Sequence, residues 1–275
     1  MTSAGQHEPT VDLTFVGTAT VILRMGPFRL LTDPNFVGKG SLVYLGKGLF
    51  SRRKTDPALS IDEVPDLDAV VLSHLHGDHW DRIANKRMNR SWPVVTTPAA
   101  ARTLERRGFT TDGLRSWQSH ALSDAQFGLT ITSVPGRHGR GALDAFLPPV
   151  MGTVLELKKQ DHLIQRLYIS GDTLLFGGLA DVKERFGDFD AALLHLGGTR
   201  LLNLATVTMD AEQGTALAQL IDASTFVPIH YDDYGVFKSP LSDFVRKMHA
   251  QGLGDRLRDV KRGDTVSLPT RRVTE

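Results

Sequence analysis

Short apolar runs separated by turn residues dominate the start of the chain. Residues 11–16, 18–24 and 28–32 are rich in β-branched side chains and are punctuated by glycine. They predict three strands of an antiparallel meander that stops at Asp33-Pro34. Residues 36–60 show no period, and a loop that long in a compact domain is often a binding loop. Order returns with an apolar strand over 69–72, a polar loop over 73–79, and a helix from Asp81. A strand over 93–96 and a helix opened by Pro98 follow, the proline suiting a first helical turn. The second half repeats this alternation, with strands near 129–134, 152–157, 167–170, 191–196 and 225–229. Helices are predicted near 178–186, 209–222 and 239–250, and Leu217, Leu220 and Ile221 give the second of these one apolar stripe. Both halves thus present sheets with helices to lay on them. The expected architecture is α/β (α+β), a four-layer αββα sandwich with two sheets face to face and helices on both outer surfaces.

Composition narrows the function classes. Lys and Arg total 32 against 31 for Asp and Glu, so no overall field favours nucleic acid. With 275 residues, 41% hydrophobic, the chain can bury a sizeable core. No low-complexity linker divides it, so a flexible segment over 1–10 and a single domain over 11–275 are expected. There is no cysteine, which excludes disulfides, a thiolate nucleophile and sulfur-held metal. The polar first ten residues and the lack of any long apolar run predict a cytoplasmic protein with, at most, peripheral membrane contact.

The chemistry concentrates in one loop. His74, His76, Asp78 and His79 fall within six residues. In an extended segment His74 and His76 point the same way, and the turn at Gly77 can send Asp78 and His79 to a neighbouring point. One loop can therefore serve two adjacent metals. His138, Asp172 and His230 each follow an apolar strand, His138 and Asp172 beside a glycine, so the three gather on the same rim. Imidazole and carboxylate donors without sulfur suit Zn²⁺ and are also compatible with Mn²⁺ or Fe.

These motifs resemble those of the metallo-β-lactamase superfamily, whose His-x-His-x-Asp-His pattern stands here at His74 to His79. The resemblance implies that His74, His76 and His138 hold one metal, that Asp78, His79 and His230 hold a second, and that Asp172 bridges them. Asp33 matches the superfamily's first motif, an acid behind the ligands; otherwise it is a plain Asp-Pro turn. Residues 15–21, 31–34, 170–173 and 185–190 look most like the branch containing N-acylphosphatidylethanolamine phospholipase D and phosphorylated-ascorbate lactonase. The absence of cysteine sets the chain apart from zinc β-lactamases with a thiolate ligand, so antibiotic hydrolysis ranks low.

A hydrolase follows from this resemblance, with two divalent ions, zinc expected, ionising a shared water. Asp78 and Asp172 would tune the site's charge and geometry, and Asp33 would orient ligand histidines. His195, at another strand end, is read either as an interior hydrogen-bonded residue or as an acid for the leaving group. The loop over 36–60 carries Lys39, Lys47, Arg52, Arg53 and Lys54 among apolar neighbours such as Tyr44. Arg52, Arg53, Lys54 and Tyr44 are therefore candidate contacts for a small or lipid-like anionic substrate, the alternative being a solvated basic loop. Residues 139–150 and 199–208 are candidate further walls. The leading expectation is hydrolysis of a phosphodiester or a phosphorylated ester or lactone. The alternatives are a carboxylic lactonase, thioesterase or β-lactam-type hydrolase on the same metals, and a non-catalytic metal-binding interaction protein.

Overall fold

The computed structural model describes residues 10–46, 48–141, 144, 146–201 and 205–271. The expected flexible segment, Thr10 apart, lies outside the described residues, as does Lys47. Among the described residues the first sheet runs in the order β17-β1-β2-β3-β6-β7-β8. Its strands are β1 (Val11–Gly17), β2 (Thr20–Met25), β3 (Phe28–Thr32), β6 (Ala69–Val71), β7 (Val94–Thr96), β8 (Thr111–Gly113) and β17 (Thr265–Ser267). The second sheet runs β16-β13-β12-β11-β10-β9, built from β9 (Ser119–Ser123), β10 (Phe127–Pro135), β11 (Met151–Lys159), β12 (His162–Ile169), β13 (Ala191–His195) and β16 (Phe226–Ile229).

Strand alternation explains the layering. On β1, Leu13 and Phe15 face the other sheet while Val16 faces outward; on β13, Leu193 faces inward while Ala192 and Leu194 face outward. Leu13, Leu23, Leu30, Leu129, Ile131, Leu155, Leu167 and Val227 form the core between the sheets. Burial of each such side chain stabilises by about 1.5–3 kcal/mol. The first sheet's outer face packs on α1 (Arg82–Arg87) and α2 (Pro98–Glu105) through Ala84, Ala100 and Leu104. The second packs on α3 (Ala180–Phe186), α4 (Ala211–Ile221) and α5 (Leu241–Ala250) through Val182, Leu217, Phe244 and Met248. The expected four layers are thus present. Asp81, Thr97 and Asp210 cap α1, α2 and α4 by accepting from backbone N–H groups.

Two differences from the sequence expectation bear on the site. The unperiodic stretch contains a hairpin, β4 (Leu42–Tyr44) paired with β5 (Phe50–Arg52), too short and too exposed on alternate positions to show a pattern. β2 begins at Thr20 rather than Thr18, because Thr18 has φ +54° and turns the chain.

Strand direction gathers the chemistry. β6 runs parallel to β3, and β13 runs parallel to both β12 and β16. β10 and β12 are each antiparallel to β11 and so point the same way. Asp33, His74, His138, Asp172, His195 and His230 therefore leave their strands at one rim. Several exits pass through left-handed backbone, with φ +37° at Asp33, +61° at Gly171 and +62° at His230. Such a residue breaks the pleat alternation and turns the next side chain over the sheet edge. At Gly171 the constraint is double, since a Cβ there would also lie 2.5 Å from the Met151 carbonyl oxygen.

Candidate metal centre

The loop after β6 supplies four of the seven predicted ligands. Its turn packs against the β4–β5 hairpin: Gly77 donates its N–H to the Tyr44 carbonyl at 3.2 Å, and a Cβ on Gly77 would come within 2.4 Å of that oxygen. Asn35 Nδ2 donates to the Gly77 carbonyl at 3.1 Å, and Asp81 accepts from the Phe36 and Val37 backbones, fastening the loop's far end.

The seven predicted ligands form two donor groups, and Asp33, His79 and His195 come together as a third cluster behind them. His74 Nε2 lies 2.9 Å from His76 Nδ1, and His138 Nε2 lies 3.4 Å from the same atom. Next to them His79 Nε2 stands 3.1 Å from Asp172 Oδ2 and 3.9 Å from Asp78 Oδ2. His230 closes this second group, Nε2 at 3.3 Å from Asp78 Oδ2 and Nδ1 at 3.5 Å from Asp172 Oδ1. All seven predicted ligands are brought together, and all but His76 are buried.

Hydrogen bonds behind the groups set which nitrogen faces inward. Asp33 Oδ1 accepts from Ser73 N at 2.8 Å and from Ser73 Oγ at 2.9 Å, and His79 Nδ1 stands 3.3 Å away. With Nδ1–H turned to Asp33, His79 directs Nε2 into the site. Ser73 Oγ, its proton given to Asp33, accepts from His74 Nδ1 at 3.0 Å, freeing His74 Nε2. His138 Nδ1 donates to the Asp172 carbonyl at 3.0 Å, which frees His138 Nε2. This is the arrangement metal-ligating histidines use to fix tautomer and ring orientation.

Charge points the same way. Burial pushes His74 well below the usual histidine value, and burial with neighbouring imidazoles takes His76 down to about 3, so both stay neutral and able to ligate. At His79 burial acts downward too, yet the carboxylates of Asp172, Asp33 and Asp78 hold it well above that value. Burial would raise Asp172, but His230 and His79 keep it well below the carboxylate range. The second donor group is a locus of negative potential that favours a cation. Four buried atoms there, Asp78 Oδ1, His79 Nε2, Asp172 Oδ1 and His230 Nδ1, have no hydrogen-bond partner among the described residues. Buried polar atoms without partners are costly, and a coordinated cation satisfies all four, so the residues fit a metal centre.

A narrow cleft opens onto His76, Asp78, His138 and Asp172. All three expected wall segments reach it, with Leu45, Gly46 and Leu49 from the first, Leu147 from the second, and Thr199, Val207 and Thr208 from the third. Residues 142, 143, 145 and 202–204 of those walls lie outside the described residues. The expected cationic contacts are not brought there. Arg53 is buried, donating from Nη1 to the Asn35 and Val37 carbonyls at 2.8 and 2.9 Å, with Nη2 3.4 Å from Asp233. Asp233 in turn accepts from Thr18 N at 2.8 Å, and the Thr18 carbonyl accepts from His230 N at 2.7 Å, so Arg53 braces the backbone that carries His230. Arg52 bonds the Gly40 carbonyl, Lys54 is exposed, and the half-exposed Tyr44 lies at a tilt against Phe50; none of them lines the cleft. His195 is fully buried between Asp33 Oδ2 at 3.4 Å and Ser170 Oγ at 3.3 Å, and likewise does not line it. Ser73 and Ser170 went unassigned in the sequence, because their partners Asp33 and His195 lie 40 and 25 residues away.

Residues 29–231 match a family model described as a beta-lactamase superfamily domain. The chain is 23% identical over 244 residues to a UPF0173 metal-dependent hydrolase of Exiguobacterium, covering 88% of this chain and 96% of that one. It is also 23% identical to N-acyl-phosphatidylethanolamine-hydrolyzing phospholipase D 1 of Caenorhabditis elegans, covering 80% of this chain and 64% of that one. Among solved structures it is similar to an isothiocyanate hydrolase from Delia radicum gut bacteria, with TM-score 0.80, 21% identity and coverage of 94% and 99%. A possible metal-dependent hydrolase from Veillonella parvula superposes with TM-score 0.79 at 20% identity, with the same coverage. With a family match across most of its length and the ligand pattern of that family gathered at one rim, the chain belongs to the metallo-β-lactamase-fold superfamily and is a metal-dependent hydrolase.

Proposed function

We propose that this hydrolase acts on a small, uncharged and largely apolar carbon electrophile: a carboxylic ester, lactone or thioester, or a comparable heteroatom-substituted carbon such as an isothiocyanate. The carrying observation is the cavity lining. Among the described residues it offers Leu45, Leu49, Leu147 and Val207 beside the donor groups, and no lysine or arginine. A phosphodiester keeps a full charge, which the two ions would pair but no cationic side chain of these walls would.

In this reading His74, His76 and His138 hold one divalent ion, Asp78, His79 and His230 a second, and Asp172 lies between. Zinc suits these sulfur-free donors. Bound there, the ions supply a water ionised near neutral pH and positive charge for the oxygen that becomes negative. The protein's part is preorganisation. Asp33 keeps a proton on His79 Nδ1, Ser73 orients His74, and the Asp172 carbonyl holds His138. Leu45, Leu49, Leu147 and Val207 exclude bulk water and strengthen each polar contact inside.

A phosphodiester remains the second reading, favoured by the likeness to the C. elegans phospholipase D. The test is turnover by zinc-loaded protein of p-nitrophenyl acetate, γ-butyrolactone, an S-acetyl thioester and phenyl isothiocyanate against bis-nitrophenyl phosphate. Neutral substrates should be preferred by at least about tenfold in kcat/KM. Preference for the phosphodiester would replace the first reading with the second.

A further inference from the structure

Thr199 carries the further inference. It follows the Gly197-Gly198 turn and is 6% exposed. Its backbone is fully engaged, N–H to Thr208 Oγ1 at 2.8 Å and carbonyl to Val207 N at 2.9 Å, which continues the ladder between β14 (Arg200–Leu201) and β15 (Ala205–Thr206). This ladder holds Thr199, Val207 and Thr208 against the cavity. The Thr199 hydroxyl is buried with no hydrogen-bond partner among the described residues, as are those of Thr96 and Tyr168, but only Thr199 of the three lines the cleft. Thr208 differs, since its hydroxyl already accepts from Thr199.

A buried hydroxyl without a partner destabilises the free protein. A valine of the same shape would fill the position without that cost, and the remaining walls, Leu45, Leu49, Leu147 and Val207, are of that apolar kind. Because Thr199 belongs to a wall of the cleft, a ligand bound there is the partner nearest to hand for its hydroxyl. Of the unpartnered buried atoms, four belong to the donor groups and suit a cation, whereas the Thr199 hydroxyl is neutral, stands in a wall with Leu45, Leu49, Leu147 and Val207, and suits a neutral polar atom.

We propose that Thr199 is a specificity-determining residue that donates a hydrogen bond to the polar heteroatom of the substrate, and that the substrate class is an apolar body carrying one uncharged acceptor. The inference rests on the proposed preference for neutral electrophiles. A buried site built to hydrogen-bond a substrate atom discriminates against ligands lacking it, because the protein group is then left unpaired.

The experiment compares zinc-loaded wild type, Thr199→Val and Thr199→Ser on p-nitrophenyl acetate and phenyl isothiocyanate, with Tm and zinc content measured for each. Thr199→Val should keep its zinc, show an unchanged or higher Tm, and lose about tenfold in kcat/KM, mainly through KM. Thr199→Ser should recover most of that loss. A role confined to structure would lower Tm instead, and that result would overturn the inference. So would equal kcat/KM for wild type and Thr199→Val on substrates the wild type turns over. If the wild type turns over only bis-nitrophenyl phosphate, the preference for neutral electrophiles itself fails, and the assignment of Thr199 to a neutral acceptor fails with it.

Discussion

Asp33 offers a sharp test of how the metal centre is held, because it lines no part of the cavity and yet touches three groups that do the holding. Its carboxylate accepts twice from Ser73 and faces His79 Nδ1 at 3.3 Å and His195 Nε2 at 3.4 Å. Asp33→Asn is the cleanest perturbation. The residue has φ +37°, and asparagine tolerates left-handed backbone nearly as well as aspartate, so the turn survives. What is lost is the charge and one acceptor oxygen. The amide must direct its NH₂ either at Ser73 and His79 or at His195, and in each orientation two donors meet. A charge-assisted hydrogen bond contributes about 1.5–3 kcal/mol, and removing it from a ligand histidine corresponds to roughly 10 to 100-fold in metal affinity. Zinc affinity measured by competition with a chromophoric chelator should fall by that amount for one of two ions, with circular dichroism unchanged. The other ion should be affected less, since His76 and His138 do not touch Asp33. If Asp33→Asn bound both ions as tightly as the wild type, the positioning argument would fail and Asp33 would be only a turn residue.

Three further outcomes are expected. Metal analysis should find about two divalent ions per chain in the wild type and about one in His79→Ala; a metal-free, fully active wild type would refute the centre. Arg53→Gln should destabilise by about 3 kcal/mol or more in urea unfolding, as it breaks a buried ion pair, whereas Arg52→Gln and Lys54→Gln should stay within about 0.5 kcal/mol and leave kcat/KM for anionic substrates unchanged. Metal-free protein should lose about 2 kcal/mol of stability on acidification that Asp33→Asn does not lose. Burial would raise the Asp33 carboxyl, but His79 and His195 lower it from 3.8 to about 2, so its contribution is full above pH 4 and disappears as pH falls through 2. Denaturant midpoints between pH 5 and 2 that run parallel in the two proteins would contradict this.

The extent to which the site was legible in the amino-acid order follows from the range of the interactions involved. His74, His76, Asp78 and His79 sit in one loop after a three-residue apolar strand, and their clustering is a local property. His138, Asp172 and His230 could be placed because each follows an apolar strand and such strands end on a common rim. The layered architecture was accessible for the same reason, since alternation and helical stripes depend on near neighbours. Charge composition misled at Arg53. A basic run looks alike whether solvated or buried, and only the arrival of Asp233, 180 residues away, makes Arg53 an internal brace. The β4–β5 hairpin escaped for want of length, and its Leu45 and Leu49 became cavity walls only through packing against the metal loop. His195 was undecidable locally, because its partners Asp33 and Ser170 come from different sheets. Local order along the chain therefore determined the candidate ligands and the layers, while the tertiary structure alone decided which side chains line the cleft and which brace it, because those roles depend on contacts between residues that the sequence keeps far apart.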